Sequence, residues 1–197
     1  MSKIKSIYSL SELHDIIEKH PNKDKLSVFF DIDLCIVMED ENGKDILIEP
    51  EVTRKLFNYL VDNNIFFTFV TARFYDYVLN SKKRESVVNE IKENIEELYP
   101  IFEYLGMDLT DFKNGKIGNE LRLIKGEKGN VVGIMYRGCL LSGLKGPTIK
   151  HFKREFGIDK THPYTIFVDD IDTYLNSVKR HVPDSLVLRR KIDEMDE

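Results

Sequence analysis

Only two of the 197 residues are cysteine, Cys35 and Cys139, too few for a disulfide framework or a zinc site built on thiolates. No apolar run approaches the roughly 18 residues that a membrane-spanning helix needs. The first twenty residues hold lysines but no apolar stretch, since Ser9, Ser11 and Glu12 interrupt it, so no secretory leader is read there. Positive charge is scarce as well. With 29 Lys and Arg against 34 Asp and Glu the net charge is −5, so neither nucleic acid nor an anionic membrane is an expected partner. Repeats and low-complexity tracts are missing. What remains is 42% hydrophobic and 32% charged residues with 12 Phe and 9 Tyr, a composition able to build a core. One domain over residues 1–197, in the cytoplasm, is the expectation.

Ser9-Leu10-Ser11-Glu12 fits a capping box and predicts a helix to about His20, with Leu10, Leu13, Ile16 and Ile17 on one face. Residues 26–30 are nearly all apolar, which suits a strand covered on both faces. Apolar runs at 35–38 and 46–48 flank Asn42-Gly43 and predict a small hairpin flap. Pro50 opens a helix striped by Val52, Leu56, Phe57, Leu60 and Val61, which Asn63-Asn64 ends. A second strand runs over 65–70 to Thr71, and 74–105 is mostly helical with a break at Pro100. Residues 107–130 carry four glycines and many charges without a period, so a loop with short elements is expected, able to serve as a small lid. Beyond it come a strand at 131–136, a helix from Gly146-Pro147 to Gly157, a strand at 164–168, a helix at 173–180 and a strand at 185–188.

Strands alternating with helices predict an α/β fold with a parallel, Rossmann-like sheet, whose ligand site lies at the carboxyl ends of the strands. Those ends carry Asp31 and Asp33, then Thr71, then Asp169 and Asp170. An Asp-x-Asp pair alone suits a turn or a helix cap equally well. Joined to Thr71, to Lys145 before a helix, and to a second acidic pair, it suits phosphoryl transfer. Crowded carboxylates raise each other's pKa unless a cation lies between them, and Mg²⁺ favours hard oxygen ligands. One Asp can then act as a nucleophile while Lys145 and the Thr71 hydroxyl hold the phosphoryl oxygens.

Val28-Phe29-Phe30-Asp31-Ile32-Asp33 resembles the first motif of the haloacid dehalogenase (HAD) superfamily. Phe69-Val70-Thr71 is similar to the second, Lys145 to the third, and Phe167-Val168-Asp169-Asp170 to the fourth, in the family's order over about residues 26–190. The runs Thr71-Ala72-Arg73 and Phe167-Val168-Asp169-Asp170 also resemble poorly characterised bacterial HAD-like proteins. The resemblance implies a HAD core with a hairpin flap and at most a small cap. It also implies a Mg²⁺-dependent phosphohydrolase that forms an aspartyl phosphate on a small phosphorylated substrate or a phosphopeptide. Asp31 would be the nucleophile and Asp33 the general acid and base, with Thr71 and Lys145 binding phosphate. Asp31, Asp33 through its backbone carbonyl, Asp169 and Asp170 would hold the metal. Cys35 stands where the family usually has Thr or Val, a packing position.

Other readings stay open. A phospho-receiver carries its acidic pair and acceptor in a different order, and a nucleotide-sugar transferase leaves Thr71 and Asp169-Asp170 unexplained. A phosphotransferase, or a HAD-fold binding module without turnover, uses the same residues. Lys125, Lys128 and Lys150 compete with Lys145 for the third motif. Asp170 could equally cap the following helix, Asp172 reads as an exposed or capping residue, and Arg73 reads as a substrate contact or a cover for the strand end. The five histidines have no ligand spacing, both cysteines read as core thiols, and the runs 82–84 and 189–191 read as solvated faces.

Overall fold

Leu26–Phe30 (β2) is buried at every position and lies in the middle of an eight-stranded sheet. A computed structural model of the chain describes residues 4–73, 89, 91–93, 95–106, 121–136 and 138–192. The other strands are Lys5–Ile7 (β1), Val37–Glu39 (β3), Asp45–Leu47 (β4), Phe66–Thr71 (β5), Arg122–Lys125 (β6), Val131–Tyr136 (β7), Cys139–Leu141 (β8), Tyr164–Asp169 (β9) and Leu186–Arg190 (β10). The sheet order is β1-β10-β9-β2-β5-β8-β7-β6; β3 and β4 form a separate hairpin. Neighbours from β1 to β8 are parallel, and β7 and β6 add antiparallel at one edge. The α/β architecture with a mostly parallel sheet therefore stands as expected.

Period-two alternation divides the strand residues between two layers. Val28, Phe30 and Phe69 pack with Leu10, Leu13 and Ile17 of helix α1 (Leu10–Glu18), with Leu56, Phe57 and Leu60 of α2 (Pro50–Asp62), and with Phe102 of α3 (Tyr99–Tyr104). Phe29, Val70 and Phe167 pack on the other side with Ile149 and Phe152 of α4 (Lys145–Glu155), Ile158 of α5 (Ile158–Thr161), and Leu175 and Val178 of α6 (Asp172–His181). Ser9 and Glu12 form the expected capping box on α1. The hairpin turns at Gly43, whose φ of +75° is open to glycine at no steric cost, while Asp40 Oδ1 accepts from the Asn42 and Lys44 amides. The loop is thus a three-residue turn with Gly in the left-handed region, and Asn42 keeps a negative φ.

Three strands fall outside the sequence expectations. β1 and β8 are three residues long, too short to show a period, and β6 runs through charged residues at the sheet edge. β6 occupies part of the segment read as a lid, and residues 107–120 lie outside the described residues, as do 74–88 and the basic run 82–84. The reading of 189–191 as a solvated face is corrected. Because β1 pairs outside β10, Arg190 is 2% exposed, donates to Glu49 Oε2 at 2.8 Å and also bonds the Tyr8 carbonyl. No helix among the described residues is long and apolar enough to cross a membrane.

Candidate active site

The chain leaves β2 toward β5 through α2, and leaves β9 in the opposite direction toward β10 through α6. β2 and β9 are adjacent, so the point where the connections diverge lies between them, which in open α/β sheets is where ligands bind. The register pairs Phe30 with Val168, and the Asp31 amide donates to the Val168 carbonyl at 2.9 Å. Asp31 and Asp169 are consequently side by side at the carboxyl ends of these strands. Both share the parity of Phe29 and Phe167, which face the layer containing α4.

Lys145 opens α4 on that side, positioned by the turn after β8. The Ser142 amide donates to the Thr71 carbonyl at 2.8 Å, and Ser142 Oγ accepts the Leu144 amide at 2.7 Å. The ammonium of Lys145 lies 2.7 Å from Asp31 Oδ1 and 2.7 Å from Asp169 Oδ2, with all three side chains buried. It also stands 4.3 Å from the centre of the Tyr174 ring. Among the four lysines considered from sequence, Lys150 instead pairs with Glu127 at the surface, and Lys125 and Lys128 are exposed. Asp169 Oδ1 accepts the Ile171 amide at 2.8 Å, so Asp169 rather than Asp170 braces the turn into α6, which has no side-chain cap. Asp172 pairs with Arg189.

Asp31 Oδ1 is buried and has the Lys145 ammonium as its ion-pair partner at 2.7 Å. One carboxylate oxygen each from Asp31 and Asp170 and the Cys35 Sγ lie within 4.8 Å of one another. Asp169, paired with Lys145, and Asp33, paired with Arg73, are not part of that group. Nothing in the sequence reading of Cys35 as a packing residue placed it so close to the carboxylates.

Burial pushes the Asp31 carboxyl up to about 7, against the pull of Lys145 and helped by Asp169. Burial likewise raises Asp169 to about 6 and lifts Asp170 above the usual carboxylate range. For Lys145 burial favours the neutral form, but the two carboxylates outweigh it and hold the ammonium above its ordinary value. Burial beside these acids pushes the Cys35 thiol well up, so it is a protonated thiol and a poor partner for a hard cation. Cys139 is buried as expected.

Thr71 is buried at the end of β5, and its Oγ1 accepts the Arg73 amide at 3.1 Å, leaving its own hydrogen available as a donor. Asp33, half-exposed, and Asp45 on β4 both hold the Arg73 guanidinium. Asp45 was no candidate in the sequence, because a hairpin residue 28 positions from Arg73 gives no signal of that contact. The turn from Asp31 to the hairpin passes through Leu34 at φ +56°, a left-handed conformation that costs a branched residue about 1–2 kcal/mol.

The approach of α4 to α6 fixes where Lys145 can sit. A Cβ on Gly146 would lie 2.4 Å from the Ser177 carbonyl oxygen, so the two helices meet backbone to backbone. Gly146→Ala should therefore push α4 away and displace Lys145, with a loss of about 1–3 kcal/mol in urea unfolding. Removing the serine side chain with Ser177→Ala should not restore it, since the obstructing atom belongs to the backbone. An unchanged midpoint in Gly146→Ala would contradict this packing.

No family model, curated protein or solved structure matches the chain.

Proposed function

We propose that this protein is a Mg²⁺-dependent phosphomonoesterase of the HAD type, acting through an aspartyl phosphate on Asp31. The observation that carries the reading is the buried triad: two carboxylates in register at the diverging strand ends, both 2.7 Å from one buried ammonium. Burying three charges is costly for folding, and such clusters of perturbed groups in a crevice are characteristic of functional sites.

The donor set suits Mg²⁺. The buried Asp31 carboxylate and the neighbouring Asp170 carboxylate are hard oxygen ligands, and Asp31, Asp169 and Asp170 together exceed the charge of Lys145. By the HAD resemblance, Asp169 and the backbone carbonyl of Asp33 would complete the set. When bound, the ion would neutralise charge on the transferring phosphoryl group. An oxygen of Asp31 attacks phosphorus, the ester P–O bond breaks, and the leaving oxygen takes a proton from Asp33. A water then gives a proton to Asp33 as its oxygen attacks phosphorus. The Asp31–phosphate bond breaks, and inorganic phosphate leaves with the carboxylate restored. Lys145 and the Thr71 hydroxyl hold phosphoryl oxygens through both steps. The substrate class is a small phosphorylated compound or a phosphopeptide. A second reading, a binding module without turnover, draws on Asp33 being engaged by Arg73.

The test is turnover of an activated aryl phosphate, expected with Mg²⁺ and lost on chelation, read beside the thermal midpoint. The carboxyls at about 7 and about 6 hold protons more tightly in the folded chain than at the unfolded value of about 3.9. In metal-free protein their stabilising contribution is full below about pH 4 and is lost as pH rises to about 7. Mg²⁺ binds the ionised forms, so millimolar Mg²⁺ should raise the midpoint more at pH 8 than at pH 5.5. No turnover together with a midpoint indifferent to Mg²⁺ at both pH values would dismiss the reading.

A further inference from the structure

Arg73 uses both forked edges of its guanidinium. Along one edge Nε donates to Asp33 Oδ1 at 2.8 Å and Oδ2 at 3.0 Å, with Nη2 also bonding Asp33. Along the other, Nη1 donates to Asp45 Oδ2 at 2.7 Å and Nη2 to Asp45 Oδ1 at 2.8 Å. Two bidentate carboxylates on one cation require a planar fork, which arginine has and lysine does not. The Arg73 and Asp45 side chains are 19% and 18% exposed, so water screens this contact only partly. The backbone of Arg73 is itself pinned, because its amide donates to Thr71 Oγ1.

The hairpin needs such a tie. β3 and β4 have three residues each, and so small a two-stranded unit is marginal on its own. Its base is closed by the Ile48 amide on the Ile36 carbonyl, and Val37 is buried, while Glu39 and Ile46 are exposed. Among the described residues, Asp45 to Arg73 is the one side-chain hydrogen bond or ion pair that joins residues 37–47 to the rest of the chain.

We infer that Arg73 is a positioning residue that couples the seating of the β3–β4 hairpin to the orientation of Asp33, with Asp45 as the link on the hairpin. A seated hairpin holds the guanidinium, which fixes the orientation of the Asp33 carboxylate. A lifted hairpin frees that fork. The kinetic consequence rests on the hydrolase reading above, while the mechanical coupling stands without it.

The experiment combines hydrogen exchange and kinetics on the full chain in Asp45→Asn, Arg73→Lys, Asp33→Asn and the double variant Asp45→Asn/Arg73→Lys. Amides of 37–47 should exchange roughly tenfold faster in each single variant, Asp33→Asn included, while those of β2 and β9 keep the parent rate. With an aryl phosphate and Mg²⁺, Asp45→Asn and Arg73→Lys should each lower kcat about tenfold to a hundredfold with KM little changed. The double variant should be no worse than the poorer single, because both break one linkage. A parent that turns over nothing, yet shows the coupled exchange, upholds the coupling and removes the hydrolase reading. Hairpin exchange indifferent to Asp33→Asn and Arg73→Lys overturns the coupling. So do additive kinetic losses, or a raised KM at constant kcat in Arg73→Lys with Asp45→Asn silent, which would make the arginine a substrate contact.

Discussion

Asp31→Asn is expected to abolish phosphomonoester turnover, by a factor on the order of 10⁴ or more, while leaving the fold intact. An amide keeps the size of the carboxyl but cannot form the aspartyl phosphate. The fold should tolerate it because burial already opposes ionisation of Asp31, and Lys145 retains Asp169 as a partner at 2.7 Å. The variant should also gain less thermal stability from Mg²⁺, having lost one carboxylate charge beside Asp170. Turnover would be followed by phosphate release with excess enzyme, so that even one slow cycle is seen. A variant that keeps the parent rate would remove Asp31 as nucleophile.

Lys145→Met should have the largest effect on stability, about 3–5 kcal/mol at pH 8, because it strands two buried carboxylates without their shared cation. Methionine fills nearly the same volume, so the loss is electrostatic rather than a cavity. The sign with pH follows from the raised carboxyls. Without the ammonium Asp31 and Asp169 move further up, and each can protonate at pH 5, so the deficit should shrink there. Mg²⁺ should recover more stability in this variant than in the parent at pH 8. Urea unfolding at the two pH values, with an unchanged slope, measures all of this. A deficit under about 1 kcal/mol at pH 8 would mean that the ammonium does not bridge the pair.

The α/β class, the capping box on α1, the hairpin at Asn42-Gly43, and the strands carrying Asp31, Thr71 and Asp169 are all legible in the residues. Each depends on spacing within a dozen positions: an apolar run, a cap, a turn, a polar residue where the run stops. β1 and β8 escape for a matching reason, since three residues cannot display a period and their pairing partners lie far along the chain.

The same distinction divides the site. That acids end two strands and a lysine precedes a helix is written in the chain. That one ammonium lies 2.7 Å from both Asp31 and Asp169 depends on the register of β2 on β9 and on how closely Gly146 lets α4 approach α6. The burial of Arg190 depends on β1 adding outside β10, and the grip of Arg73 on Asp45 depends on where a hairpin folds back. Local pattern records which residues a segment contains and which face they share. Partners separated by tens of residues meet only through packing and pairing, and it is those meetings that shift pKa values, bury charge and bring the carboxylates into one place.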